Sequence, residues 1–211
     1  MTVIEFNFND DWMGEISRRL GDLNDKTPDV ISQATNSTAR KARKLIVQSL
    51  REHYAEDAKT KEYNAAMKIA RASRKKYDAT IYIRGKVQNL RRFNVSPKDP
   101  PASGSSRPPT TRAQVLLQGG LKELNKGGIK AFITTFKNGD VVVAQRNGSF
   151  YTYHRPTGGI DRHHEAIDKL WSISIPKMAE SQLDPKTVRG NMRDTIQAIL
   201  VEEIEKQIAR Q

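Results

Sequence analysis

AFITTFKNGDVVVAQRNGSFYTYHR, residues 131–155, is the stretch that decides the fold. Asn138-Gly139 and Asn147-Gly148 divide it into three runs rich in β-branched and aromatic residues. Such residues suit a pleated chain, and Asn-Gly supplies the positive φ angles of a tight type I′ hairpin turn. The spacing predicts a β-meander. Pairing through two-residue turns puts Phe132, Phe136, Val141, Val143 and Phe150 on one face. The other face receives Ile133, Val142, Ala144, Tyr151 and Tyr153. Both faces are apolar, whereas a sheet with one side in water alternates cleanly. Helices of the chain can cover one side; the second asks for another sheet or another subunit.

Working outward, helices flank this region. Trp12, Ile16 and Leu20 recur four residues apart, as on a short amphipathic helix. Thr27-Pro28 reads as an N-cap followed by Pro at the first helical position. Ile31, Ala34, Thr38, Ala42, Leu45 and Ser49 then mark one helical face of small residues, suited to close helix packing. A second short helix is expected around Tyr63–Arg74, and strands at ATIYIRG (79–85) and QVLLQ (114–118). The segment PKDPPASGSSRPPTTR (97–112) holds too little apolar surface to order itself and predicts a flexible basic loop. Asp184-Pro185 starts a last helix whose stripe Val188, Met192, Ile196, Ile199, Leu200, Ile204 and Ile208 is expected to pack on the sheet. The reading is a single α+β domain over 1–211. Residues 1–77 are helical, residues 78–154 are β-rich and interrupted by the loop 97–112, and residues 185–210 form a C-terminal helix.

Composition narrows the function. The 211 residues contain no Cys, which excludes a disulfide framework and a zinc-thiolate site. The first residues carry Glu5, Asp10 and Asp11 where a signal peptide would need Lys or Arg, and no apolar run approaches the length of a membrane span. The expectation is a soluble protein made and used in the cytoplasm. The net charge of +12 is unevenly spread: −4 over residues 1–39, +13 over 40–113 and +3 over 114–211. A field concentrated in that way attracts polyanions through counterion release.

The densest positive clusters are Arg71, Arg74, Lys75 and Lys76, and Arg91 with Arg92. They suit phosphate contacts on DNA. They equally suit salt bridges between subunits to the acidic N-terminal residues Glu5, Asp10, Asp11, Asp22, Asp25 and Asp29. Lys98, Arg107 and Arg112 in the proline-rich loop suit a lumenal or partner-binding role. His154, His163 and His164 with Asp161, Glu165 and Asp168 invite a metal or nuclease reading. They fall in what reads as a surface loop, TGGIDRHHEAIDK, without the paired carboxylates of a two-metal site. No catalytic residue, cofactor or metal site is expected.

The order of these elements resembles a known family. AFITTFKNGDVVVAQR (131–146) is similar to the central motif of the lambda-type minor tail protein Z family, the tail-completion proteins of long-tailed bacteriophages. There an Ala-Phe-Ile strand, an Asn-Gly turn and a strand ending near Arg precede an Ile-Pro segment and a long C-terminal helix. LWSISIPKM (170–178) stands where the Ile-Pro segment belongs. The basic helix, the IRG strand and the Ser-Pro-Lys lead-in extend the likeness upstream. The resemblance implies a structural, non-enzymatic virion protein at the head–tail junction, assembled in the host cytoplasm as a homo-oligomeric ring, with a hexamer favoured. Its implied partners are the tail terminator, the tail tube, head-connector proteins and the genome end. Phe132, Ile133, Phe136, Val142, Tyr151 and Tyr153 are then candidates for the subunit interface or the core sheet. The alternative is a free basic nucleic-acid-binding protein outside any virion.

Overall fold

The computed structural model describes residues 1–6, 10–57, 60–102, 109–153, 162–183 and 191–211. The chain begins with β1 (Thr2–Phe6), α1 (Asp10–Leu20), α2 (Thr27–His53) and α3 (Thr60–Ala66). Short strands follow: β2 (Met67–Ala70), β3 (Ala79–Ile83), β4 (Val87–Asn89), β5 (Asn94–Ser96), β6 (Arg112–Gln114), β7 (Lys122–Glu123), β8 (Asn125–Lys126) and β9 (Ile129–Lys130). The remaining elements are β10 (Phe132–Thr135), β11 (Val141–Tyr153), β12 (Arg162–Lys169), β13 (Trp171–Ser174), α4 (Ile175–Leu183) and α5 (Asn191–Ile208). The class is α+β, with helices at both ends and several small antiparallel sheets between. The chain divides into two compact units: residues 1–52, 58–86 and 174–211, and residues 53–57 and 87–173.

The first unit is built on α2. Its buried positions are mostly small, including Ala34, Thr35, Thr38, Ala39 and Ala42, and short side chains allow neighbouring helices to come close. Ile16 and Leu20 of α1, Val30, Ile31 and Ala34 of α2, and Ile204 of α5 form one buried cluster, with Leu200 and Ile208 packed beside it. The C-terminal stripe therefore closes on α2 and α1, and not on the sheet as its sequence suggests. The reason is complementarity: an apolar stripe seeks the largest unfilled apolar surface, and the small-residue face of α2 provides it. The Asp184-Pro185 start lies outside the described residues.

Lys41 Nζ lies 2.7 Å from the Glu203 carboxylate, joining α2 to α5. Burial opposes ionisation of Glu203 most strongly, but hydrogen bonds from Lys41 and Ser37 together hold its carboxyl below the usual 4.5. Ser49 donates to Gln182 at 2.8 Å inside the unit, tying α4 to α2. The sheet order is β1-β3-β2, with Ile4 and Ile69 both opposite Ile81. That pairing explains why the expected helix 63–74 stops early. α3 ends at Ala66, and Met67–Ala70 extends to take the free edge of β3, a case of tertiary pairing overriding local propensity. Gly85 has a packing cause: a Cβ there would come within 3.3 Å of Pro176 in the first turn of α4.

The second unit contains the sheets β10-β11-β12, β5-β6-β7, β8-β9 and β13-β4. Of the expected strand 114–118 only Gln114 lies in a strand, as the last residue of β6, and the chain turns through 117–119 to Gly120, whose φ is +64°. At the first Asn-Gly, Phe136 N–H donates to Asp140 O and Gly139 N–H donates to Phe136 O, both at 2.9 Å. Only Gly139 has positive φ, so the loop holds three residues, a type I turn closed by a left-handed glycine. One extra loop residue moves the register by one. Ile133 faces Val143, Thr134 faces Val142 and Phe132 faces Ala144. Val142 and Ala144 therefore share the face of Phe132, and Val141 and Val143 share that of Ile133, a rearrangement of the expected faces.

The second Asn-Gly does not turn the chain back. β11 runs on to Tyr153, and the residues between Arg146 and Phe150 form an irregularity opposite β12. Asn147 Oδ1 accepts from Ser149 N–H at 3.0 Å, and Gly148 has φ +79°. A left-handed glycine serves a bulge as well as a hairpin. Which one forms depends on the next partner strand, here 162–169, a stretch that reads in sequence as a loop.

Shortening Ile204 to Ala should cost about 2–5 kcal/mol in urea unfolding, from lost burial plus the cavity left between α5 and α2. Val201→Ala on the exposed side of the same helix should stay within about 0.5 kcal/mol.

Candidate functional site

The predicted basic residues separate into two groups. In the first unit, Ser73 and Lys76 pair across a tight turn, with Ser73 N–H donating to Lys76 O at 2.6 Å. Asn36 of α2 fixes this turn: its amide donates to Ala72 O at 3.0 Å and its carbonyl accepts from Ala72 N–H at 2.9 Å. Arg74 then makes a two-pronged ion pair with Asp29 of α2. That hydrogen-bonded contact holds the Asp29 carboxyl below the usual 3.8. A bridge between the basic cluster and an acidic N-terminal residue thus forms inside one chain. It leaves Arg71, Lys75 and Lys76 exposed, with no ion pair among the described residues.

In the second unit, Arg92 lies 3.4 Å from Glu56, whose side chain is fully buried, so Arg92 is committed to structure. Arg91 donates to Lys98 O at 3.3 Å and reaches Asp99 at 3.5 Å, bracing the entry to the proline-rich segment. Lys98 is exposed, and Arg112 stands across the ladder from Glu123. Arg107 lies outside the described residues.

The predicted sheet residues also divide. Ile133, Val142, Val143 and Ala144, all residues of the second unit, are buried, so both faces of that end of the sheet are already covered. The uncovered apolar surface lies further along the β11–β12 ribbon. There Phe150 is 69% exposed and Tyr151 55%; Trp171, in β13 just past β12, is 53% exposed. By register, Phe150, Arg146 and Phe132 share one face with Glu165, Ile167 and Lys169. Arg146 sits over the Phe132 ring at 5.8 Å and reaches Glu165 at 3.3 Å, while Lys169 sits over the Trp171 ring at 4.5 Å. On the opposite face Tyr151 stacks on His164 with ring centroids 5.7 Å apart. Phe136, Tyr151 and Ile167 border an open cleft of about 620 Å³. Of Tyr153 the backbone pairing alone is described, opposite Arg162.

Aromatic rings with cations laid over them, on a ribbon whose outer edge is unpaired among the described residues, make a surface suited to a protein partner. Arg146, Ile167, Lys169 and Trp171 belong to it and were not singled out from sequence. No strand signal marks RHHEAIDKLW: its apolar residues fall in the adjacent pairs Ala166-Ile167 and Leu170-Trp171, without two-residue alternation. His163 and His164 occupy opposite faces of β12, and no group of three metal-binding side chains gathers among the described residues. His154 and Asp161 lie outside those residues. Set against protein-family models, curated proteins and solved structures, the chain finds no match in any of the three comparisons.

Replacing Arg74 with Gln should return the Asp29 carboxyl toward 3.8 in an NMR titration. Because the folded value is depressed, the stability from this pair is present above 3.8 and lost as pH falls through the lowered value. The stability difference between wild type and variant should therefore shrink on acidification below that point.

Proposed function

We propose that this chain is a structural tail-completion protein that assembles as a ring, a hexamer favoured, at the head-proximal end of a long phage tail. In this role it joins the tail to the filled head and lets the genome end pass or rest. The family resemblance of residues 131–210 supplies the setting. The observation that carries the reading is the exposed aromatic surface on and beside the β11–β12 ribbon, with Phe150 on β11 and Trp171 on β13 each more than half accessible. Rings of that size left in water are the anchors from which subunit interfaces draw most of their energy. Partners above and below would be tail terminator, tail tube and head-connector proteins. The reading assigns no catalytic residue and no cofactor.

The exposed cations Arg71, Lys75 and Lys76 favour a second reading, a dispersed nucleic-acid-binding protein that belongs to no virion. Mass measurement in solution and composition of purified particles separate the two. Light scattering behind a sizing column should give a closed oligomer for the wild-type chain. Phe150→Ser/Trp171→Ser should raise its dissociation constant at least tenfold while far-ultraviolet circular dichroism stays unchanged. A wild-type chain that stays monomeric at tens of micromolar and is missing from purified virions by mass spectrometry would sink the proposal.

A further inference from the structure

In the first unit a polar pocket of about 400 Å³ opens between α2 and α5. Ser37 and Arg40 line it from α2; Glu203, Lys206, Gln207 and Arg210 line it from the C-terminal end of the chain. From Glu203 the spacing is three and four residues on α5 and seven to Arg210 just past its end, which puts one stripe along the groove. The carboxylate in the pocket is spoken for: Glu203 is 2% exposed, 2.7 Å from Lys41 and hydrogen-bonded by Ser37. Arg40, Lys206 and Arg210 are exposed, and none has an ion pair among the described residues. Gln207 is 6% exposed and lines the same pocket. Cations near a helix C-terminus offset the helix dipole, which accounts for Lys206 and Arg210 alone. It does not account for Arg40, brought to the same cavity by another helix.

We infer that this pocket receives a backbone phosphate of double-stranded DNA. Three exposed cations and the Gln207 amide that lines the pocket match the oxygens of a phosphodiester. The lining has no aromatic or apolar side chain on which a base could stack, so the contact is blind to sequence and does not suit a nucleoside ligand. Asn36, which also borders the pocket, holds Ala72 of the basic turn, so Arg71, Lys75 and Lys76 stand on the adjoining surface and can follow the next phosphates. The inference deepens the DNA contact in the proposal above and requires no ring.

The test is binding of the full chain to a fluorescent DNA duplex of arbitrary sequence at several salt concentrations. Arg40→Gln/Lys206→Gln/Arg210→Gln should weaken binding at least tenfold at about 0.1 M salt. It should also flatten the log–log salt slope by about 2–3. Lys61→Gln/Lys68→Gln/Lys122→Gln removes the same charge elsewhere and should change affinity by less than about threefold. If the triple pocket variant unfolds, Lys206→Gln alone should reduce the slope by about one. Equal losses in the two triple variants overturn the inference, as does an unchanged slope in Lys206→Gln. Saturable pyrophosphate binding without duplex binding overturns the assignment to DNA, and so does equal affinity for poly-glutamate. Oligomer mass, measured in parallel, should be unaltered by the pocket substitutions, so a failure of DNA binding and a failure of ring assembly are read separately.

Discussion

The close approach of α5 to α2 is the contact on which the rest of the first unit depends. It requires small side chains on α2 and branched apolar ones on α5, and Ala34 and Ile204 meet in one buried cluster. Helices that close cannot avoid burying polar groups as well. Glu203 is taken out of water at this seam and would be costly there without a partner; Lys41 and Ser37 supply the charge and the hydrogen bond it needs. The same seam determines which side chains line its outer margin. Once Ile204 and Glu203 face inward, helical geometry leaves Lys206 and Arg210 at the rim beside Arg40. A constraint of packing thereby arranges a cluster of charge.

Much of this architecture was legible in the sequence where the signal is local. Thr27-Pro28 opens α2, Ile16 and Leu20 lie on a buried face of α1, and ATIYI forms β3. Asn138-Gly139 does reverse the chain. What stayed hidden turns on partners distant in sequence. Tyr63–Arg74 has the composition of a helix, and only the open edge of β3 pulls Met67–Ala70 into a strand. The stripe on α5 is plain to see, but nothing within it says whether a sheet or another helix receives it. Register was the finest detail to miss. Asn-Gly is compatible with a two-residue and with a three-residue loop, and the choice exchanges every side chain between faces.

The candidate surfaces were legible to a smaller degree, for a related reason. Basic residues can be counted, but their engagement cannot: Arg74 and Arg92 are held by Asp29 and Glu56, whereas Arg71 and Lys75 have no ion pair among the described residues. An apolar sheet with two faces to cover was the expectation, and Val142 and Val143, on opposite faces, are both buried in the chain. The surface left over belongs to Phe150, Ile167 and Trp171, half of it on a strand too polar to announce itself.

The irregularity in β11 has a property that follows from parity. Between Arg146 and Phe150 the strand advances four residues while β12 advances two, from Ile167 to Glu165. Both steps are even, so the ladder resumes with each side chain on its original side. A lineage could therefore lose two residues here and keep Phe150 and Tyr151 where they are, trading only a bent ribbon for a straight one. Losing one residue would exchange the two rings and turn the surface inside out. The length of this small segment is thus free to drift in pairs, and related chains should differ there by even numbers.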